Sequence, residues 1–209
     1  MTELEFDGVP LPLRASGPRT AARPLPVPGG MRLFCGPRAD LFLDPAGAPD
    51  RPDAERFTAP VTGDFQFSAH VAVELRDTFD SGVLLGWIDD DNWFKICAEL
   101  DPEGIARIVT VVTRAGASDD ANGWPYPGGG VHLRISRRGR VFALHAADAD
   151  GGDGGVTWRL ARVFATGLPA ERAVEIGVLV QSPRGPGTTA VFSLVSFTSA
   201  PLGDLRDGS

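Results

Sequence analysis

Phe65-Gln66-Phe67-Ser68-Ala69-His70-Val71-Ala72-Val73-Glu74-Leu75 is the stretch that decides the fold class. Phe65, Phe67, Ala69, Val71, Val73 and Leu75 fall on one side of an extended chain, and Gln66, Ser68, His70 and Glu74 fall on the other. Successive side chains of a strand point to opposite faces, so this is the pattern of a half-buried β-strand. The same reading extends outward. Residues 31–35 and 40–44 are short strand candidates, and 82–88, 93–100 and 105–114 form a meander. Its turns are Asp89-Asp-Asp-Asn92, whose side chains bond locally, and Asp101-Pro-Glu-Gly104, with proline and glycine at the favoured turn positions. Residues 131–136 and 140–146 form a hairpin around Arg137-Arg-Gly139. Residues 156–164, 173–181 and 189–197 complete about ten strands at the turn spacing of a sandwich. Two segments read as long loops, 115–130 and 148–155. No segment reads as a helix, and no internal repeat is present.

Residues 1–30 carry Pro10, Pro12, Pro18, Pro24, Pro26 and Pro28. Proline lacks a ladder donor, so this arm is expected to supply only short or edge strands packed on the domain. The expected organisation is that arm followed by one β-sandwich domain over 31–209. A chain of 209 residues with 43% hydrophobic residues has enough apolar mass for a single large core.

The net charge of −7 argues against nucleic acid as a partner, because phosphate recognition needs a basic footprint. No run reaches the roughly 18 apolar residues of a membrane span. The start, Met1-Thr-Glu-Leu-Glu-Phe-Asp7, lacks the basic and apolar segments of a secretory leader, so the expectation is a cytoplasmic protein without a membrane partner. Cys35 and Cys97 are then free, buried thiols. His70, His132 and His145 sit in no ligand spacing, and neither a metal nor a cofactor is expected.

Several pieces in order resemble a known family. They are Gly63-Asp64-Phe65, Trp93-Phe-Lys95-Ile-Cys-Ala-Glu99, and Val112-Thr113-Arg114 followed by Ser118-Asp119-Asp120-Ala-Asn122. Val131-His-Leu-Arg134 and Gln181-Ser182-Pro183-Arg-Gly185 complete the set. Together they resemble the concanavalin A-like domains of unknown function that include the fungal regulator of enolase. The resemblance covers roughly residues 31–197. It implies an all-β, concanavalin A-like jelly-roll sandwich of two antiparallel sheets, of lectin or glucanase type, with no established activity to carry over.

Four constellations could carry chemistry. Alternation puts Trp93, Lys95, Cys97 and Glu99 on one face of their strand. His132, Arg134 and Ser136, with Gln66, Ser68, His70 and Gln181, suggest one shared polar face, expected to be concave. Stacking aromatics with polar neighbours suit a saccharide ligand, and a solvated face with cross-strand charge pairs is the structural alternative. Lys95 and Glu99 lie roughly 13 Å apart along the strand, so each needs a partner elsewhere, with Arg134 the candidate for Glu99. Glu99-Leu-Asp101-Pro-Glu103 resembles the Glu-x-Asp-x-Glu motif of retaining glucanases, whose catalytic carboxyls stand about 5 Å apart. Pro102 breaks that motif into a turn. Asp148–Gly155 and Thr157-Trp158 read as a structural turn, with Ca²⁺ as the alternative. Asp119 and Trp124 lie in the long loop 115–130, where Trp124-Pro-Tyr126-Pro could overhang the polar face as a stacking platform.

The expected ligand-binding set is Trp93, Lys95, Glu99, Asp119, Trp124, Arg134 and Gln181, with no catalytic residue. The expected role is non-catalytic binding of a carbohydrate-like ligand. The alternatives are an intracellular regulator with a protein partner and a glycoside hydrolase-like enzyme.

Overall fold

A computed structural model describes residues 3–17, 23–47, 53–148 and 156–209. Alternation becomes strand pairing throughout. β6 (Phe65–Val73) buries Phe65, Phe67, Ala69 and Val71 and turns Gln66, Ser68 and His70 away from the core. The meander forms as β7 (Ser81–Asp89), β8 (Asn92–Leu100) and β9 (Ala106–Arg114), paired antiparallel in order. The turn after β8 closes as its residues require. The Gly104 N–H donates to the Asp101 carbonyl oxygen at a φ of 77°, a conformation glycine adopts without strain.

The remaining strands are β1 (Glu3–Leu4), β2 (Leu13–Ser16), β3 (Arg23–Val27), β4 (Gly30–Cys35), β5 (Arg56–Val61), β10 (Ala117–Pro125), β11 (Val131–Arg138), β12 (Val141–Asp148), β13 (Arg159–Ala165), β14 (Val174–Gln181) and β15 (Thr188–Thr198). They form two antiparallel sheets. One has the order β1-β2-β5-β14-β7-β8-β9-β10, and the other β13-β12-β11-β6-β15-β4-β3. The non-sequential neighbours β5-β14-β7 and β6-β15-β4 are the long crossovers of a jelly roll. Proline-bearing β3 ends one sheet and β1 ends the other, where a missing ladder donor costs least.

The core lies between the sheets. Phe94, Ile96 and Ala98 of β8 meet Phe65 and Phe67 of β6 and Leu133 and Ile135 of β11 in one apolar cluster. Phe94 packs against Phe142 at a centroid distance of 4.7 Å. Arg137 is fully buried and satisfied by three carbonyl oxygens, those of Gly139, Pro169 and Arg172. A buried guanidinium is stable only when so paired. Among the described residues no helix is long and apolar enough to cross a membrane.

Four sequence expectations need correction. Residues 117–125 are not loop but the edge strand β10, joined to β9 by a two-residue turn at Ala115 and Gly116, both with positive φ. An edge strand with a largely solvated surface lacks the buried face that makes alternation visible. Residues 40–44 form no strand and run across the outside of the eight-stranded sheet. β5 had no counterpart in the sequence reading; Thr58, between Phe57 and Ala59, is itself buried, which hides the alternation. The strand expected from residue 156 begins at Arg159. Residues 149–155 of the Asp/Gly loop, for which Ca²⁺ binding is the alternative to a structural turn, lie outside the described residues.

Gly177 of β14 carries a steric demand. A Cβ there would collide with the carbonyl oxygen of Phe57 on β5, which is backbone and cannot rotate away. Gly177→Ala should therefore destabilise the protein by about 3 kcal/mol. Urea unfolding would read this as a lower midpoint at unchanged m-value. An unchanged midpoint would show that β5 and β14 are not packed this closely.

Candidate functional site

The outer face of β8 carries Trp93, Lys95, Cys97 and Glu99, in the alternation their sequence dictates. Phe94, Ile96 and Ala98 are taken by the core. The outer face is not bare, however. Leu41 and Ala54 pack onto it with Val83, Leu85, Trp93 and Cys97 as a second apolar cluster. Residues 39–44 thus form a strap across the sheet, tied by backbone and side chains together. Leu43 N–H donates to Ser118 Oγ at 3.0 Å, and Ser118 N–H donates to the Leu43 carbonyl oxygen at 2.9 Å. The Asp53 and Ala54 N–H groups both donate to the Asp40 carbonyl oxygen.

Lys95 is the centre of this arrangement. Its side chain is 2% exposed, and its Nζ donates to the Leu41 carbonyl oxygen at 2.7 Å and to Gln181 Oε1 at 2.8 Å. A buried ammonium needs such acceptors, because leaving water uncompensated costs several kcal/mol (about that order). The strap and the end of β14 are therefore joined through one lysine.

Beside it the face stays open as a cleft of about 150 Å³. Lys95, Glu99 and Gln181 are its polar lining, Phe42 and Phe79 contribute aromatic surface, and Asp40 and Asp120 add carboxylates. Asp120 comes from exposed β10, Phe79 from the turn before β7, and Asp40 and Phe42 from the strap. Glu99 is only 8% exposed. Burial pushes its carboxyl up to about 7, with Lys95 opposing the rise and Asp40 and Asp120 adding to it. Its register neighbours are Ser81 on β7 and Arg107 on β9. Arg107 is turned to Asp101 at 2.7 Å and to the Gly123 carbonyl oxygen, so it does not serve Glu99.

Of the residues singled out from sequence, Lys95, Glu99 and Gln181 come together in the cleft. Trp93 shares their face but lies 1% exposed, with Lys95 Nζ 5.6 Å from its ring. The other three are elsewhere. Asp119 alternates away from Asp120 and meets Arg162 of the opposite sheet at 2.7 Å. Trp124 packs against the main core under Arg159 and does not overhang the cleft. Arg134 lies on β11 in the seven-stranded sheet, so it cannot partner Glu99 across the sandwich. It stacks on Trp158 at 4.2 Å and donates to the Gly208 carbonyl oxygen at 2.8 Å.

The single polar face expected from sequence is thus two faces on opposite sides of the molecule. Gln66, Ser68, His70, His132, Arg134 and Ser136 belong to the seven-stranded sheet. The chain after β15 crosses that second face. Gln66 bonds to Ala200, His145 to Leu205 and Arg138 to Gly203. Sequence reasoning missed Asp40, Phe42 and Phe79 as cleft residues. The only signal for the strap was an apolar Leu41-Phe-Leu43 run, which reads equally well as a strand.

The Glu99-Leu-Asp-Pro-Glu103 motif does not assemble on one strand face. β8 ends at Leu100. Asp101 turns into the hairpin corner, where its carboxylate accepts from Ile105 N–H and Arg107 Nε. Glu103 stands exposed on the turn.

Two antiparallel sheets in jelly-roll order, with a cleft on one outer face, make this a concanavalin A-like β-sandwich. The chain belongs to the DUF1349 family, proteins of unknown function, whose pattern matches residues 27–200. Its fold is similar to that of a functionally unknown protein from Saccharomyces cerevisiae, at 20% identity and a TM-score of 0.76, over 91% of this chain and 97% of that one. It is also similar to a GH43 protein from Bacillus licheniformis, at 12% identity and a TM-score of 0.64, over 83% of this chain and 34% of that one. A third likeness is to the carbohydrate binding module CBM66 from Bacillus subtilis, at 16% identity and a TM-score of 0.51, over 85% of this chain and 92% of that one. At such identities the likeness is one of fold. No curated protein sequence matches the chain.

The raised Glu99 carboxyl has a consequence for stability. The folded protein holds this proton more tightly than an unfolded chain, where the group titrates near 4.5. Its contribution is therefore fully present below about pH 4.5 and is lost as pH rises through about 7. Glu99→Gln should remove that dependence and narrow the stability difference between acidic and mildly alkaline buffer by about 3 kcal/mol. Urea melts of both proteins across this range would read it. Parallel pH profiles for the two proteins would contradict the assignment.

Proposed function

We propose that this domain is a non-catalytic binding module that takes a small, polyhydroxylated, saccharide-like ligand in the cleft beside Lys95. The observation that carries this reading is the convergence of Lys95, Glu99 and Gln181 below aromatic surface from Phe42 and Phe79. Mixed aromatic and polar lining is what a sugar ring and its hydroxyls require. A fold shared with a carbohydrate binding module supports the same reading by analogy. The volume of about 150 Å³ is below the roughly 300–1,000 Å³ of pockets that engulf drug-sized ligands. One small unit, such as the end of a longer chain, fits that scale. The dispersal of Asp101 and Glu103 into the turn favours binding over glycoside hydrolysis.

A second reading, an intracellular protein-interaction domain, rests on the resemblance of the ordered motifs to the family that includes the fungal regulator of enolase. Repeated recovery of one metabolic enzyme in pull-downs, unaffected by sugars, would favour it.

The direct test is a thermal-shift and calorimetric screen over mono- and oligosaccharides at millimolar concentration. At least one should stabilise the protein, by about 2.7 kcal/mol at a hundredfold excess over Kd. Asp120→Ala, at an exposed position of the lining, should weaken that ligand about tenfold without lowering the melting temperature. No stabilisation by any saccharide would overturn the reading.

A further inference from the structure

The cleft holds a buried carboxyl group that forms no ion pair among the described residues. Glu99 is more than nine-tenths buried and faces the cleft. Among the described residues, the cations on and beside its strand, Lys95 and Arg107, are hydrogen-bonded elsewhere. Lys95 gives its Nζ hydrogen bonds to the Leu41 carbonyl oxygen and to Gln181. Arg107, opposite Glu99 in register, is held by Asp101 and by the Gly123 carbonyl oxygen. Among the described residues no cation forms an ion pair with Glu99. Asp120, from exposed β10, lines the same cleft and adds a second carboxylate near Glu99. The rise of the Glu99 carboxyl to about 7 is the expected mark of a buried acid in such surroundings.

We infer that the cleft selects a ligand carrying a protonated amine, and, on the saccharide reading above, an amino sugar rather than a neutral one. An ammonium placed against Glu99 would supply the missing counter-charge in a site shielded from water. Charge-assisted hydrogen bonds there are shorter and stronger than those between neutral groups. Phe42 and Phe79 add aromatic surface, which also favours a cation over a neutral polar group. A bare metal ion fits less well, since among the described residues no three histidine, cysteine or carboxylate side chains are grouped to hold one.

The experiment is calorimetric titration of the full chain at neutral pH with D-glucosamine, D-galactosamine, D-glucose, D-galactose and N-acetyl-D-glucosamine. Ethanolamine, putrescine and calcium chloride serve as further probes. The expected result is that a free amino sugar binds at least about tenfold more tightly than its neutral and N-acetylated counterparts. Glu99→Gln should abolish that preference, and the exposed Asp120→Asn should reduce it. Equal or tighter binding of the neutral sugars overturns this inference and leaves the saccharide reading standing. Binding of ethanolamine or putrescine with no sugar supports the amine and overturns the saccharide reading. A response to calcium that matches the amines overturns the amine assignment, and silence from every probe overturns both.

Discussion

One buried ammonium organises the functional side of this protein. Lys95 lies on the outer face of a central strand with 2% exposure, and its two strong hydrogen bonds reach a strap and a neighbouring strand end. The sandwich core would form without it, since Phe94, Ile96 and Ala98 face the other way. The cleft would not. With an apolar residue at this position, nothing polar would hold the Leu41 carbonyl oxygen down onto the sheet, and Gln181 would lose its donor. Desolvation makes the lysine demanding: it must find acceptors, and the acceptors it finds define the cleft wall.

The strap then accounts for the rest of the site. Its apolar residues cover the middle of the sheet, burying Trp93 and Cys97 that an uncovered face would expose. Its polar residue Asp40 and its ring Phe42 border the part left open. Glu99 sits in that opening, where burial raises its carboxyl, and it forms no ion pair among the described residues. The opposite face of the sandwich is treated differently. There Arg134 and His145 are capped by carbonyl oxygens of Gly208 and Leu205, and burial lowers the His145 imidazole to about 4.

The legible parts of the sequence are those with one buried and one polar face, or with strong turn signals at their ends. β6 shows a period of two because its core side is uniformly apolar and its other side polar, whereas β7–β9 are buried on both faces and are bounded in the sequence by their Asp/Asn and Asp-Pro-Glu-Gly turns. That same alternation grouped Lys95 with Glu99 and set Gln181 at a strand end beside them. It could not say which sheet a strand joins, and so Arg134 was placed with Glu99 though the two lie on opposite sheets. Edge strand β10 escaped notice because Ser118, Asp119, Asp120 and Asn122 carry the composition of a loop. The strap escaped because its covering role depends on long-range contacts, chiefly Leu43 to Ser118, which are 75 positions apart in sequence.

Hydrogen exchange in a Lys95→Met variant shows whether this lysine holds the strap to the sheet. The Leu43, Asp53 and Ala54 amides, which are tied down in the strap, should lose protection selectively, while those of the core strands β6 and β11 keep theirs. Unchanged protection at Leu43, Asp53 and Ala54 would contradict it, because the strap would then hold without the lysine.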